Sequence, residues 1–400
     1  MHRFTESEQI ILKSLSAALN PEKHIELNSE LLNQADWDTV GLISSHHAVS
    51  PMVFDSIAKY RQVIPNDVFS KWYSHILKAL SSNAATTETQ DQLVDMLDGR
   101  FDYIILKGLA AAAYYPKSEL RCLGDVDFLV RHENLAECEK IILNNGYKRC
   151  IETGCHITYE KNGRILEMHF EIPGIPHGES EKRVRKFVEP IFENIKAQGK
   201  FNAPCDMLHG VVLLLHSAHH LVLEGLGLRH ICDWACFVKS TVNDGFWSEL
   251  LPFLSDIGLL KFTKVLTKLC VNYLNVDCPE WATDADDNVC LELMRDVLTG
   301  GNFGRLDRVR SRSGMMISKH SKSGIQNSKV YNLIRTLHTT MYSACPVLKK
   351  APILYPFMFV FRIAKYLVLM LCGKRPSLIT ASQKADERKA VYDALDMFKI

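Results

Sequence analysis

The sequence predicts an α+β protein: a small mixed sheet with flanking helices, set between helical N-terminal and C-terminal regions. Three observations predict it. Apolar residues recur at three- and four-residue spacing up to about residue 95 and again from about 205 to 298. Between these stretches the texture changes to short apolar or alternating runs separated by Gly, Pro and Asn, the signature of strands mixed with helices. Within that stretch Asn162 and Gly163 join two alternating runs and mark a hairpin. The expected organisation is a helical region over 1–95, an α/β core over 96–200 and a helical domain packing on it over 201–300. A basic flexible segment over 301–330 and C-terminal helices over 331–400 complete the chain.

The N-terminal helices are expected over Glu8 to Leu19, Trp37 to His46, Met52 to Tyr60 and Val68 to Leu80. Asp102 to Leu106 reads as a strand, ended by Lys107 and Gly108 before an Ala-rich helix from Leu109 to Tyr114 that Pro116 closes. Gly124 to Val130 is a second strand, and a helix from about Glu133 to Asn145 stops at Gly146. The hairpin runs from His156 to Lys161 and from Arg164 to Ile172. A two-residue type I′ turn sets Thr158 opposite Glu167 and His156 opposite His169. One face then carries His156, Thr158, Glu160, Glu167, His169 and Glu171, with Ile165 its only apolar member. The other carries Ile157, Tyr159, Leu166, Met168, Phe170 and Ile172. Further helices follow from Asp206 through Leu223 and around His230 to Lys239, Phe246 to Leu254 and Lys261 to Leu274.

Composition bounds the function. Of 400 residues, 47% are hydrophobic and 23% charged, which excludes wholesale disorder and collagen-like architecture. The 47 Lys and Arg against 46 Asp and Glu leave a net charge of +1, so no nucleic-acid partner is expected. The basic run from Arg305 to Lys329 holds seven Lys or Arg against one Asp, lacks aromatics for base stacking, and reads as a solvated loop. The N-terminus opens on charged residues without a signal-peptide core, so a cytoplasmic location is expected. Twelve scattered cysteines are then reduced thiols in packing roles, and the pairs Cys150/Cys155 and Cys232/Cys236 lack the second half of a structural zinc site. Ala351 to Cys372 has membrane-spanning length. Arg362 and Lys365 at its middle, with Pro352 and Pro356 at its start, make it a buried or interfacial helix with at most weak membrane-surface contact.

Asp125 and Asp127 stand two apart on a strand, so both carboxylates leave one face while Val126, Phe128 and Val130 enter the core. Such a pair repels unless it is protonated or neutralised, and a hard cation, Mg²⁺ or Mn²⁺, is the usual solution. Glu167 on the polar face of the hairpin supplies a third carboxylate if its strand lies beside the first, and three acids can hold two metals for phosphoryl or nucleotidyl transfer. Lys107 and Gly108 sit where a strand hands over to a helix N-terminus, a place suited to phosphate. Arg121 lies four residues before Asp125 and is expected to reach the same polyphosphate.

The run Ile105, Leu106, Lys107, Gly108, then Tyr115, Pro116 and Arg121, then Gly124 to Val130, then Leu166 to Phe170, resembles the uncharacterised nucleotidyltransferase family of the DNA polymerase beta superfamily found in bacterial biosynthetic gene clusters. Trp37, Asp38 and Ala48 to Pro51 are similar too, as are His216, His220, Arg229 and Asp233; the resemblance covers roughly residues 30 to 240. It implies a polymerase-beta-like core in which Asp125, Asp127 and Glu167 form the metal-binding triad, with an NTP as substrate. Two departures stand out. Lys107 and Gly108 replace the superfamily's Gly-Ser or Gly-Gly, and Glu167 stands where Asp is more common, one methylene further out.

His216 and His220 are one helical turn apart, with Glu224 a turn further. They offer a metal or phosphate site, or, as the preferred reading, histidines satisfied by packing. Arg229 and Asp233 are expected to form an intrahelical pair, with a pocket role for Asp233 as the lesser reading. His156, His169, His216, His220 and Asp233 are thus possible pocket residues. The expected activity is metal-dependent transfer of an NMP from an NTP to a hydroxyl of an unidentified acceptor. The alternatives are a non-catalytic nucleotide-binding or protein-interaction module, and a glycosyltransferase whose Asp-Val-Asp holds Mn²⁺ and a sugar nucleotide.

Overall fold

The structure is a computed structural model and describes residues 4–176, 178–223, 225–241, 244–304, 306, 341, 346–349, 351–371 and 388–398. The basic run from Arg305 to Lys329, Leu306 excepted, and the position of Glu224 fall outside the described residues, as does nearly half of 331–400.

Helices α1 (Glu6–Leu19), α2 (Ser29–Asn33), α3 (Trp37–His46) and α4 (Ser50–Ile57) form the N-terminal layer. Thr5 and Glu8 close α1 with a reciprocal capping box, which satisfies donors the helix leaves open. The next helix, α5, spans Asn66–Leu97, 32 residues, and so runs 17 beyond the expected end at Leu80. Just past Leu80 its buried side chains are polar, Asn83, Thr86, Thr89 and Gln90, and the apolar face resumes only at Leu93, Val94 and Leu97. Asn83 donates to the carbonyls of Glu119 and Arg121 at 3.0 and 2.9 Å and accepts from the Leu123 amide at 2.8 Å. Thr86 donates to the Gly124 carbonyl at 3.2 Å. The loop leading to Asp125 is therefore held from below, and its backbone groups are satisfied without a strand partner.

The core follows with β1 (Tyr103–Ile105), α6 (Leu109–Ala112), β2 (Val126–Val130), α7 (Leu135–Asn144), β3 (Lys148–Glu152), β4 (His156–Lys161) and β5 (Arg164–His169). The sheet order is β1-β2-β5-β4-β3, with β2 and β5 parallel and every other pair antiparallel. The hairpin has the predicted register: Lys161 faces Arg164, Thr158 faces Glu167 and His156 faces His169. Edge strand β3 has no counterpart in the sequence reading; every residue in it is exposed, so no alternation marks it. The ribbon β6 (Ile195–Gln198) and β7 (Phe201–Pro204), which follows α8 (Glu179–Val188), has no counterpart in the sequence reading either.

The two faces of the sheet meet different cores. Val126, Phe128, Val130, Ile157, Tyr159, Leu166 and Met168 pack with Leu93, Val94 and Leu97 of α5 and Cys138 and Ile142 of α7. Ile104, Leu106 and Leu129 face the opposite way, into a larger core shared with α1, α3 and α4 and with α9 (Asp206–Leu223), α10 (Leu228–Ser240), α11 (Asp244–Asp256), α12 (Leu260–Leu274) and α13 (Asp287–Gly300). Strand alternation puts Asp125 and Asp127 on the Leu129 side, turned toward this helical layer.

Among the described residues α9 is the one helix long and apolar enough to cross a membrane, and 67% of it is buried in the protein. The expected interfacial helix forms over Tyr355–Leu371, but it is not a buried one. Phe357, Val360, Phe361 and Val368 are all more than half exposed.

Candidate active site

The register of three strands builds the site. Asp127 on β2 pairs with Glu167 on β5, and Leu129 pairs with His169, so Asp127, Glu167 and His169 share a face. The Leu106 amide donates to the Asp127 carbonyl at 3.0 Å, which carries the β1–β2 ladder one residue past β1 and delivers Lys107 beside Asp127. Lys107 Nζ then lies 2.7 Å from Asp127 Oδ1. Gly108 has φ 60° and ψ −114°, a conformation that a side chain resists, and it turns the chain into α6. That helix is only four residues long, shorter than the Leu109 to Tyr114 expected, so it offers a single turn of amides.

His169 Nε2 lies 3.0 Å from Asp127 Oδ1 and 3.6 Å from Glu167 Oε2. Because an ionised carboxylate only accepts, Nε2 carries the proton and donates. His156 Nε2 faces Glu167 Oε1 at 3.8 Å. Donor atoms of Asp127, Glu167 and His169 all lie within 4.8 Å of one another, and so do those of Cys155, His156 and His169. Asp125 stands just before β2, outside that first group, yet it feels it. The charge of Asp127, then burial, pushes the Asp125 carboxyl up to about 6. Burial also opposes the charge on Asp127, but Lys107 and His169 outweigh it and hold that carboxyl well below the ordinary value. Burial likewise works against a charged His169, and hydrogen bonds to Asp127, Cys155 and Glu167 overcome it, raising the imidazole to about 10.

Arg121 is placed elsewhere than expected. Its Nε and one terminal nitrogen donate to the two oxygens of Asp233 on α10, at 2.7 and 2.8 Å, and Tyr115 donates to the same carboxylate at 2.6 Å. Both partners are buried, so Arg121 pins the loop before Asp125 to α10 rather than standing free for a polyphosphate. Asp233 is thereby turned to a partner 112 residues away, and Arg229, whose charge also helps hold Asp233 ionised, donates to the Cys122 carbonyl at 3.3 Å. His216 and His220 meet His230 of α10, all three buried, with ring centroids 4.2 to 5.3 Å apart. Burial, then the Lys107 charge, keeps His216 neutral. His230 Nδ1 accepts from the Gly227 amide at 3.3 Å.

The sequence reading missed three of these residues. His230, Cys155 and Tyr115 reach their sites across strands or helices, and no local spacing announces them.

With this geometry in place, comparison with known proteins decides the family. The family model described as "Uncharacterised nucleotidyltransferase" matches residues 33–275, about three-fifths of the chain. The chain belongs to that family. The match spans the N-terminal layer from α3, the whole sheet and the helices through α12, so the acids on β2 and β5 lie inside it. No curated protein and no solved structure matches the chain. For a nucleotidyltransferase the mixed sheet with flanking helices is the expected core, and the three carboxylates lie on its helical-layer face.

Proposed function

We propose that this nucleotidyltransferase-family protein moves an NMP from an NTP to a hydroxyl of a non-nucleic-acid acceptor, with Mg²⁺ or Mn²⁺ held by Asp125, Asp127 and Glu167. The observation that carries the reading is the parallel pairing of Asp127 with Glu167, with Lys107 on the same carboxylate. The donor set suits the cation. It is all oxygen, and Asp125 resists ionisation because Asp127 crowds it, a penalty that a divalent ion removes. When bound, the ion grips the triphosphate and offsets charge developing on it.

The chain's own residues do the rest. Lys107 is the cation already inside the site, and it exchanges its contact with Asp127 for the phosphate oxygens as the nucleotide enters. Glu167, one-fifth exposed and flanked by His156 and His169, takes the proton of the acceptor hydroxyl as its oxygen attacks the α-phosphorus. The bond from the α-phosphorus to the bridging oxygen breaks, and pyrophosphate carries away that electron pair. Asp127 keeps His169 oriented throughout.

The non-catalytic reading draws on one observation, that Lys107 and His169 already neutralise Asp127. Thermal-shift titration separates the two. The wild type is expected to be stabilised by one of the four NTPs only with Mg²⁺ or Mn²⁺, and the Asp125→Asn/Asp127→Asn variant not at all. Metal-independent stabilisation that survives in the variant would leave a binding module as the account.

A further inference from the structure

Beside the carboxylates lies a second donor set of different chemistry. Cys155 precedes β4, His156 opens that strand, and His169 closes β5 directly opposite His156. One donor atom from each falls within a 4.8 Å group. Cys155 Sγ is 3.6 Å from His156 Nδ1. A tetrahedral zinc with ordinary Zn–S and Zn–N bonds separates its sulfur and nitrogen ligands by about 3.6 Å, so these two atoms are already spaced as co-ligands.

The two histidines are also oriented as ligands are. His169 gives its Nε2 proton to Asp127 at 3.0 Å, and His156 turns Nε2 toward Glu167 at 3.8 Å. In His169 the carboxylate engages Nε2, the outer-shell arrangement that fixes a metal-binding imidazole, and in His156 Nδ1 meets Thr153 Oγ1 at 3.1 Å and Cys155 Sγ, contacts that an ion would replace. The buried His169 side chain, 1% exposed, shares a hydrogen bond with Cys155, and an ion between the two would take the place of that proton. The Cys155 thiol is lowered to about 6, first by its hydrogen bond to His156, and a thiolate is the form that binds metal. Cys155 itself is only half-buried, which leaves a fourth position open on its side. Cysteine spacing alone argued against zinc for want of a second pair; here the remaining nitrogens come from the hairpin.

We infer that Cys155, His156 and His169 form a binding site for a zinc-class transition-metal ion, with Asp127 and Glu167 as outer-shell partners and a fourth position open to an oxygen ligand. The site is distinct in chemistry from the all-oxygen set, which suits a hard ion. The inference goes beyond nucleotide transfer and holds whether or not that reaction occurs. An ion there stands next to Glu167, where it would bind a hydroxyl or hydroxide.

The test is Co²⁺ titration of chelator-treated, reduced full-length protein, read by the near-ultraviolet thiolate-to-cobalt band and the visible bands of a tetrahedral ion. One equivalent is expected in the wild type. Cys155→Ser and His156→Ala are expected to lose the thiolate band while keeping the wild-type circular dichroism. Asp125→Asn and His220→Ala are expected to retain it. Zn²⁺ should displace the cobalt and protect Cys155 from iodoacetamide. No thiolate band in the wild type, or one that persists in Cys155→Ser, overturns the assignment. Because Asp125→Asn removes a hard-metal ligand and spares this site, loss of its NTP response with an intact cobalt band separates failure of one proposal from failure of the other.

Discussion

Replacing Arg121 by Met tests whether this arginine holds the fold or the substrate. The guanidinium makes two short hydrogen bonds to Asp233, whose carboxylate also accepts from Tyr115, and both charges are buried. Removing the arginine leaves an uncompensated buried carboxylate, which costs about 3–5 kcal/mol. The entropy of unfolding is about 2.1 cal/mol/K per residue, or about 0.5 kcal/mol/K for a cooperative unit of about 240 residues, so Tm falls by about 6–10 °C. Asp233→Leu is expected to cost a similar amount. The double variant recovers most of it, short of about 1–3 kcal/mol for the Tyr115 hydroxyl left without its acceptor. Thermal denaturation of the four proteins gives the coupling. An Arg121→Met protein that melts within about 2 °C of the wild type, a shift under about 1 kcal/mol on the same entropy, yet no longer responds to NTP, would refute this reasoning and return Arg121 to the phosphates.

Three further outcomes follow from the site. Asp125 has a folded-state value near 6 against an ordinary 3.8, so the native state holds its proton more tightly and stability declines as pH rises through about 4 to 6; Asp125→Asn is expected to gain on the order of 2–3 kcal/mol over the wild type at pH 7.5 without metal, and to lose that gain below about pH 4 in denaturant titrations. Cys155, with its thiol lowered to about 6, is expected to be alkylated by iodoacetamide at pH 6.5 before the exposed Cys150 and Cys278 in metal-free protein, as read by peptide mass spectrometry, and His156→Ala to slow it. Gly108→Ala forces a side chain onto φ 60° and ψ −114°, so a loss of about 1–3 kcal/mol is expected in the same titrations, together with weaker NTP stabilisation as Lys107 shifts.

The parts of the fold legible in the sequence were those written in local patterns. Asn162 and Gly163 fix the hairpin turn, and the alternation on either side fixes its register. The pairing of Asp127 with Glu167 needed only that β2 and β5 be neighbours, which they are. What stayed hidden depends on contacts between distant segments. Strand β3 is exposed along its length and carries no period, and α5 continues past Leu80 through buried polar residues that bind a loop before its apolar face resumes at Leu93. Arg121 and Asp233 are 112 residues apart, so nothing near either one predicts the pair. His169 reads from the sequence as a possible pocket residue, and only strand pairing sets it against Asp127.

The central claim is transfer of the nucleotidyl group by the β2 and β5 carboxylates, and label position tests it most directly. Purified protein is incubated with Mg²⁺, a fractionated small-molecule extract as acceptor source, and the NTP chosen by thermal shift, labelled with ³²P at either the α or the γ position. The account predicts that the α label moves to a new product while the γ label leaves as pyrophosphate, and that both events vanish in Asp127→Asn. Transfer of the γ label, or α-label transfer undiminished in Asp127→Asn, would contradict it.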